Sequence, residues 1–302
     1  MFRIGVNTGF AVNRYPEPDI WTKIVADDFK VDVIQFTVTL LNPFWPRDYV
    51  LHKAEEIRRL CDNKGIWIQQ TFTDAWTRLN HLTSPDPEER KIWVECFKTM
   101  VDMSIIMGAE ATGSHFGILS FNDNNDPARR MAMMQEGFRN WEKVAEYGAG
   151  KGLKYVYFEP MSVPREFAGT IEETRYMITE ANKNIAIPMK ICLDVDHGDL
   201  QSDNPDDTDP HAWLRAFAHE SPTIHLKQSY KAGMGHVPFT PEHNEKGRIK
   251  ADEVLNTLTK MGCTDCSLIL ELGHRERWPN DYRVIEDFTS SINYWKDAIS
   301  KI

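Results

Sequence analysis

Cysteine, basic charge and long apolar runs are all scarce in this 302-residue sequence. The five cysteines, Cys61, Cys96, Cys192, Cys263 and Cys266, are odd in number and scattered. That excludes a disulfide framework and points to a reducing, cytoplasmic setting. Cys263 and Cys266 do form a C-x-x-C pair. Without a second such pair or a histidine pair it reads as a chance pairing in the turn KMGCTDC rather than a zinc or redox half-site. No run approaches the roughly 18 apolar residues of a membrane span. The opening MFRIGVNTGFAVNRYPEP lacks a basic start followed by a long apolar run, so no secretory signal is expected. No G-x-G-x-x-G or P-loop pattern occurs, which removes the usual phosphate-cradling turns. Lys+Arg number 35 against 45 Asp+Glu, a net charge of −10, which argues against a nucleic-acid surface.

Eight short apolar runs alternate with amphipathic helical stretches. The runs are Phe2–Val6, Val31–Phe36, Ile66–Phe72, Glu110–His115, Leu153–Phe158, Met189–Leu193, Thr223–Leu226 and Ser267–Leu270. Helical patterns follow at 20–29, 50–63, 85–107, 127–150, 171–183, 211–219, 251–261 and 282–301. Local chemistry supports the boundaries. Ser84-Pro85 and Asp126-Pro127 place a capping side chain before a first-turn proline. Thr170 and Glu173 fit a capping box. Gly65, Gly108, Gly152 and Gly262 follow helical patterns, where a left-handed residue is needed. The runs are continuous rather than alternating, as in strands buried on both faces. Eight strand–helix units in one chain predict a single-domain α/β protein, a (β/α)8 TIM barrel over residues 1–302. A doubly wound sheet is the alternative, but it normally uses fewer units. The stretch 228–250 reads as a long functional loop after the seventh strand.

In such a barrel chemistry sits where the strands end. The ends carry Asn7, Gln35, Gln70 and His115, then Glu159, Asp194, His225 and Glu271. The last four follow apolar strands directly, in YVYFEP, ICLDVDH, TIHLK and LILELG. Three carboxylates and an imidazole on one axis would repel one another without a cation. An oxygen-rich set with one nitrogen suits Mn²⁺ or Mg²⁺, with Co²⁺ also compatible. Arg165 closely follows Glu159, and Lys227 and Lys231 lie just past His225. With Arg248 and Lys250 they are candidates to hold an anionic group. His115, Gln70 and Asn7 are candidates for contact with substrate hydroxyls.

The order Glu159, Asp194, His225, Glu271 resembles the xylose-isomerase-like superfamily of TIM barrels, and within it the ketose 3-epimerase branch. That resemblance implies one divalent metal bound by these four residues, with Glu159 and Glu271 also moving the proton. LDVDH resembles the branch's aspartate followed three residues on by a substrate-contacting histidine, here Asp194 and His197. Lys231 stands six residues after His225, where sugar epimerases carry a substrate-contacting arginine; this departure leaves the substrate open. NTGFAVNRYPEP, ATGSHFG, FEPMSVPRE, HLKQS and PFTPEHNEKGRI are similar to sugar-phosphate isomerase/epimerase proteins of bacterial polyol catabolism, a group that includes erythrulose-phosphate epimerases.

The expected function is therefore a metal-dependent epimerase or isomerase of a small ketose or ketose phosphate such as a tetrulose phosphate. Its proton transfer would pass through a metal-stabilised enediolate. The alternatives are a decarboxylase or lyase of a sugar-derived β-keto acid on the same metal, or an isomerase of a branched sugar such as apiose. A metal-dependent DNA-repair nuclease ranks last, because it calls for a histidine-rich multi-metal site and a basic face. The expected partner is a small sugar or sugar phosphate, with no nucleic acid or membrane; a homodimer or homotetramer is compatible with the reading.

Overall fold

The computed structural model describes residues 2–74, 78–232 and 235–302. Eight parallel strands, in chain order, close into a barrel. They are β1 (Arg3–Asn7), β2 (Val33–Thr37), β3 (Trp67–Phe72), β4 (Ala111–His115), β5 (Tyr155–Glu159), β6 (Met189–Asp194), β7 (Thr223–Leu226) and β8 (Ser267–Leu270). The barrel is closed by β1 and β8, which pair from Arg3 with Ser267 to Val6 with Leu270. The predicted (β/α)8 fold class is the one observed.

The helices are α1 (Pro18–Lys23), α2 (Arg47–Asn63), α3 (Pro87–Met107), α4 (Phe121–Asn124), α5 (Pro127–Lys151), α6 (Ile171–Ala181), α7 (Pro210–Phe217), α8 (Pro241–Lys246), α9 (Ala251–Lys260) and α10 (Val284–Ile299). Among the described residues none is long and apolar enough to cross a membrane. Trp21, Trp141, Trp213 and Trp295 are fully buried in the continuous core that packs helices onto strands.

Local chemistry sets the helix starts. Asp126 accepts hydrogen bonds from the backbone N–H groups of Ala128 and Arg129, as its capping role predicts. The expected cap at Ser84 moves by two residues. The sequence Ser-Pro-Asp-Pro offers two such pairs, and α3 starts from the second, with Asp86 accepting from Glu88 N–H. Ser84 Oγ instead accepts from Asp86 N–H and donates to Glu89. The capping box at α6 is half formed. Thr170 accepts from Glu173 N–H, while the Glu173 carboxylate reaches Gly169 N–H and Arg130 rather than the cap's own N–H. The stretch 228–250 is not an open loop: it contains α8 and an antiparallel bridge between Gln228 and Val237.

The barrel lumen is unusual in content. Phe72, Ala111, Tyr155, Tyr157 and Cys192 form a second buried cluster inside the ring of strands. Gly113 on β4 pairs in register with Tyr157 on β5. A β-carbon on Gly113 would lie 2.5 Å from the Tyr157 ring. The missing side chain on β4 is what makes room for the aromatic on β5. A register shift between β2 and β3 follows Ile34, so that Gln35 aligns with Gln70 rather than Gln69. This bulge turns Gln70 into the lumen. Strand register also seats Asn7 beside Gln35, His115 beside Glu159, and Asp194 beside His225.

Candidate metal centre and active site

Glu159 and Asp194 are the last residues of β5 and β6, His225 lies in β7, and Glu271 follows β8 directly. Each offers one ligand atom, and these atoms lie within 4.8 Å of one another. His225 is completely buried, and Glu159 and Asp194 are nearly so. His225 Nδ1 is 3.1 Å from Glu159 Oε1 and 3.5 Å from Glu271 Oε2.

A chain of hydrogen bonds assigns the protons of this imidazole. Gly9 N–H donates to Asn7 Oδ1 at 2.7 Å, which fixes the Asn7 amide. Asn7 Nδ2 then donates to Gln35 Oε1 at 2.8 Å, which makes that oxygen an acceptor. His225 Nε2 lies 2.7 Å from the same oxygen and therefore carries the proton. In neutral imidazole, Nδ1 would present a lone pair to two carboxylate oxygens. Such a contact needs positive charge between the partners: a proton on Nδ1 or a metal ion.

The ionisation pattern without metal shows the same demand. Burial alone would lower the His225 pKa, yet the Cys192 sulfur and the Glu271 and Glu159 carboxylates hold it well above its ordinary value. Burial raises Glu159, but His225 and His197 outweigh it and keep its carboxyl below the usual value. Burial pushes Glu271 up to about 8. A proton thus serves where a cation is absent. Three carboxylates and an imidazole nitrogen, already converged and desolvated, fit a hard divalent cation.

Lys227 sits on the far side of Asp194. It is buried, and its Nζ lies 2.9 Å from Asp194 Oδ2, 2.9 Å from His197 Nε2 and 3.1 Å from His236 Nε2. An ammonium only donates, so His197 Nε2 accepts, and its Nδ1–H is left for the Pro160 carbonyl at 2.9 Å. His197 Nδ1 is also 3.3 Å from Glu159 Oε1.

A small cavity of about 140 Å³ opens above the cluster, with His115, Glu159, His197 and Glu271 in its wall. A hollow of about 290 Å³ adjoins it and shares Asp74, His236 and Glu271. His115 is backed by a residue the sequence reading missed. Leu82 N–H donates to His81 Nδ1, so His81 Nε2–H points at His115 Nε2, 3.1 Å away. Burial, reinforced by the neighbouring ring, keeps His81 well below its usual pKa, and burial lowers His115 to about 4.

Several expected substrate contacts are placed elsewhere. Gln70 is fully buried in the lumen, accepting from Gln35 at 3.2 Å and donating to the Tyr155 hydroxyl at 2.9 Å. Its amide is consumed there and does not line the cavity. Asn7 borders the adjoining hollow, but both ends of its amide are committed to Gly9 and Gln35. Arg165 donates to the Leu119 carbonyl at 2.6 Å and stacks on Phe121, away from the cavity. Lys227 is spent on Asp194 and two histidines. Lys231 is exposed and outside the cavity wall. Arg248 and Lys250 bond backbone carbonyls of Thr208 and Asn244. Arg78, which the sequence pattern did not single out, does line the cavity.

A closed parallel barrel with three carboxylates and a histidine converged at its C-terminal end defines a TIM barrel whose cluster could hold a metal ion. The family described as Xylose isomerase-like TIM barrel matches residues 25–294. The chain belongs to that family. A D-erythrulose 1-phosphate 3-epimerase of Brucella abortus (strain 2308) is 39% identical over 299 residues, covering 98% of this chain and 96% of that protein. A Rhodospirillum rubrum structure, described provisionally as a xylose isomerase, superposes with a TM-score of 0.90 at 24% identity, covering 98% of this chain and 99% of that one. D-psicose 3-epimerase from Clostridium cellulolyticum H10 superposes with a TM-score of 0.70 at 14% identity, covering 99% and 97%. These two likenesses carry the fold.

Proposed function

We propose that the protein is a divalent-metal-dependent epimerase that inverts the carbon beside the carbonyl of a small ketose phosphate, of the tetrulose 1-phosphate class. The observation that carries this reading is the pair Glu159 and Glu271, which approach His225 Nδ1 from β5 and from the end of β8 in one small cavity. The 39% identity to an epimerase of that substrate class, over nearly the full length, supports it.

Glu159, Asp194, His225 and Glu271 would hold the metal, with Mn²⁺ or Mg²⁺ favoured by the ligand set and Co²⁺ compatible. When bound, such an ion polarises a carbonyl and its neighbouring hydroxyl and so acidifies the adjacent C–H. The remaining chemistry belongs to side chains. Glu159 Oε1 and Glu271 Oε2 face His225, which leaves the second oxygen of each carboxylate to handle a proton. One glutamate removes the proton from one face of the substrate carbon, and the other returns a proton to the opposite face. Two carboxylates therefore favour inversion at one carbon over transfer between neighbouring carbons. His115 and His197 line the cavity and orient hydroxyls.

The test is incubation of metal-loaded protein with a tetrulose 1-phosphate in D₂O. Deuterium entering at the carbon beside the carbonyl, with formation of the epimer, is the expected result. Release of CO₂ from a β-keto acid, with no exchange on the ketose phosphate, would instead favour the lyase. Glu159→Gln and Glu271→Gln should each lose turnover by about 10²-fold or more.

A further inference from the structure

We infer that Arg78 recognises the phosphate of the substrate. This rests on the ketose-phosphate reading above. Among the described residues, Arg78 is the only permanently cationic side chain in the wall of the cavity over the cluster. The same wall carries Asp74, Glu159 and Glu271, so a phosphate dianion entering it needs a compensating cation.

The guanidinium is held in a way that leaves its recognition edge free. Arg78 Nε donates to Glu166 Oε1 at 2.7 Å. Glu166 lies in the turn Pro164–Glu166 after β5 and is fully buried. Its other oxygen has no hydrogen-bond partner among the described residues, so Arg78 is the cation that balances a desolvated carboxylate. That requirement fixes the arginine head. Neither terminal amino group of Arg78 hydrogen-bonds to any described residue. They form the planar, two-pronged edge that matches two phosphate oxygens.

Other basic groups nearby are already engaged. Arg14 borders the adjoining hollow, but its Nε binds Asp281 and its Nη2 binds the His274 carbonyl. Arg165 and Lys227 are committed as described. Substrate placement follows: the phosphate lies toward β4 and β5, beside His115, and the reacting carbon lies over the cluster.

The experiment compares kcat/KM for a tetrulose 1-phosphate and for the same tetrulose without phosphate, in wild type, Arg78→Lys, Arg78→Gln and Arg14→Gln. The preference for the phosphorylated sugar should fall about 10- to 100-fold in Arg78→Gln and by less in Arg78→Lys. Arg14→Gln should keep the wild-type preference. Arg78→Lys retains a cation for Glu166 and so guards against a misfolded glutamine variant. Equal loss on both sugars, or loss of preference in Arg14→Gln instead, overturns the inference. If wild type fails to process the phosphate at all, the ketose-phosphate reading falls separately. In that case ³¹P titration with inorganic phosphate decides: binding that is weakened in Arg78→Lys and further weakened in Arg78→Gln supports the role of Arg78, and equal binding in all three or none in wild type overturns it.

Discussion

His225 Nε2 lies 2.7 Å from Gln35 Oε1, although the two residues are 190 positions apart and on strands β7 and β2. The bond starts a relay that ends on a backbone N–H, at Gly9, through Asn7. Gln35 therefore decides which imidazole nitrogen faces Glu159 and Glu271.

Replacing Gln35 by Leu should remove that control without changing side-chain bulk greatly. The Nε2 proton loses its acceptor, and the imidazole becomes free to rotate or change tautomer. With His225 as the proposed metal ligand, affinity for Mn²⁺ should fall about 10- to 100-fold, the usual loss when the partner of a metal-bound histidine is removed. Titration of the metal-free protein with Mn²⁺, followed by calorimetry, measures this. Unchanged affinity would show that the relay does not orient His225.

The His81–His115 pair gives the protein an acid-sensitive core. Burial keeps both neutral when folded, with His81 well below its ordinary pKa and His115 at about 4. In the unfolded chain each titrates near 6.5. Below that pH the unfolded state binds protons that the folded state refuses, so stability is full above about 6.5 and falls as the pH drops. At pH 5.5 each histidine costs about 1.3 kcal/mol relative to pH 7. His81→Asn, whose side chain tolerates the positive φ of 32° at this position, should flatten the slope by about one proton. Denaturant unfolding between pH 7.5 and 5.5 checks it; a slope identical to wild type would be inconsistent with a neutral buried His81.

How far the sequence disclosed all this depended on range. The eight strands were legible because each is a continuous apolar run ended by turn chemistry. Glu159, Asp194, His225 and Glu271 are legible because each stands at or just past the C-terminal end of such a run, so strand order alone predicts convergence. The place of Gln70 is not legible locally, because a one-residue bulge against β2 decides which of two adjacent glutamines enters the lumen. Lys227, a candidate to hold an anionic group, immediately follows a strand and is buried on Asp194, a pairing across strands that no local pattern reveals. Arg78 and His81 lie in an irregular connection, and their partners, Glu166 and His115, stand 88 and 34 residues away. Only three-dimensional proximity shows such pairs.

Gly113 offers a packing test of the lumen. Alanine there would put a methyl group 2.4 Å from the Tyr157 carbonyl and 2.5 Å from its ring. Tyr157 cannot yield easily, since its hydroxyl donates to the Thr71 carbonyl at 2.8 Å and its ring stacks on Phe72. Gly113→Ala should cost about 1–3 kcal/mol by overpacking. Phe72 also contacts the His225 ring, so the strain reaches the carboxylate–histidine cluster. Urea unfolding measures the stability, and a neutral effect would mean the strands separate freely at this level.

Lys227 supplies positive charge to the same carboxylate that the proposed metal would bind. In the metal-free protein its ammonium is the permanent cation beside Asp194, and burial's upward push on that carboxyl is overcome by His197 and Lys227. Lys227→Met keeps the stem and removes the charge. The metal-free variant is left with a buried carboxylate short of its partner, a loss of about 3–5 kcal/mol. A bound divalent cation would return part of that charge balance. The rise in melting temperature on adding saturating Mn²⁺ should therefore be larger in Lys227→Met than in wild type, while the metal-free melting temperature is lower. Thermal denaturation of both proteins, with chelator and with Mn²⁺, gives all four values. If the two proteins show the same metal-induced rise, Lys227 and the metal do not act on the same carboxylate, and the assignment of Asp194 to the metal loses its support.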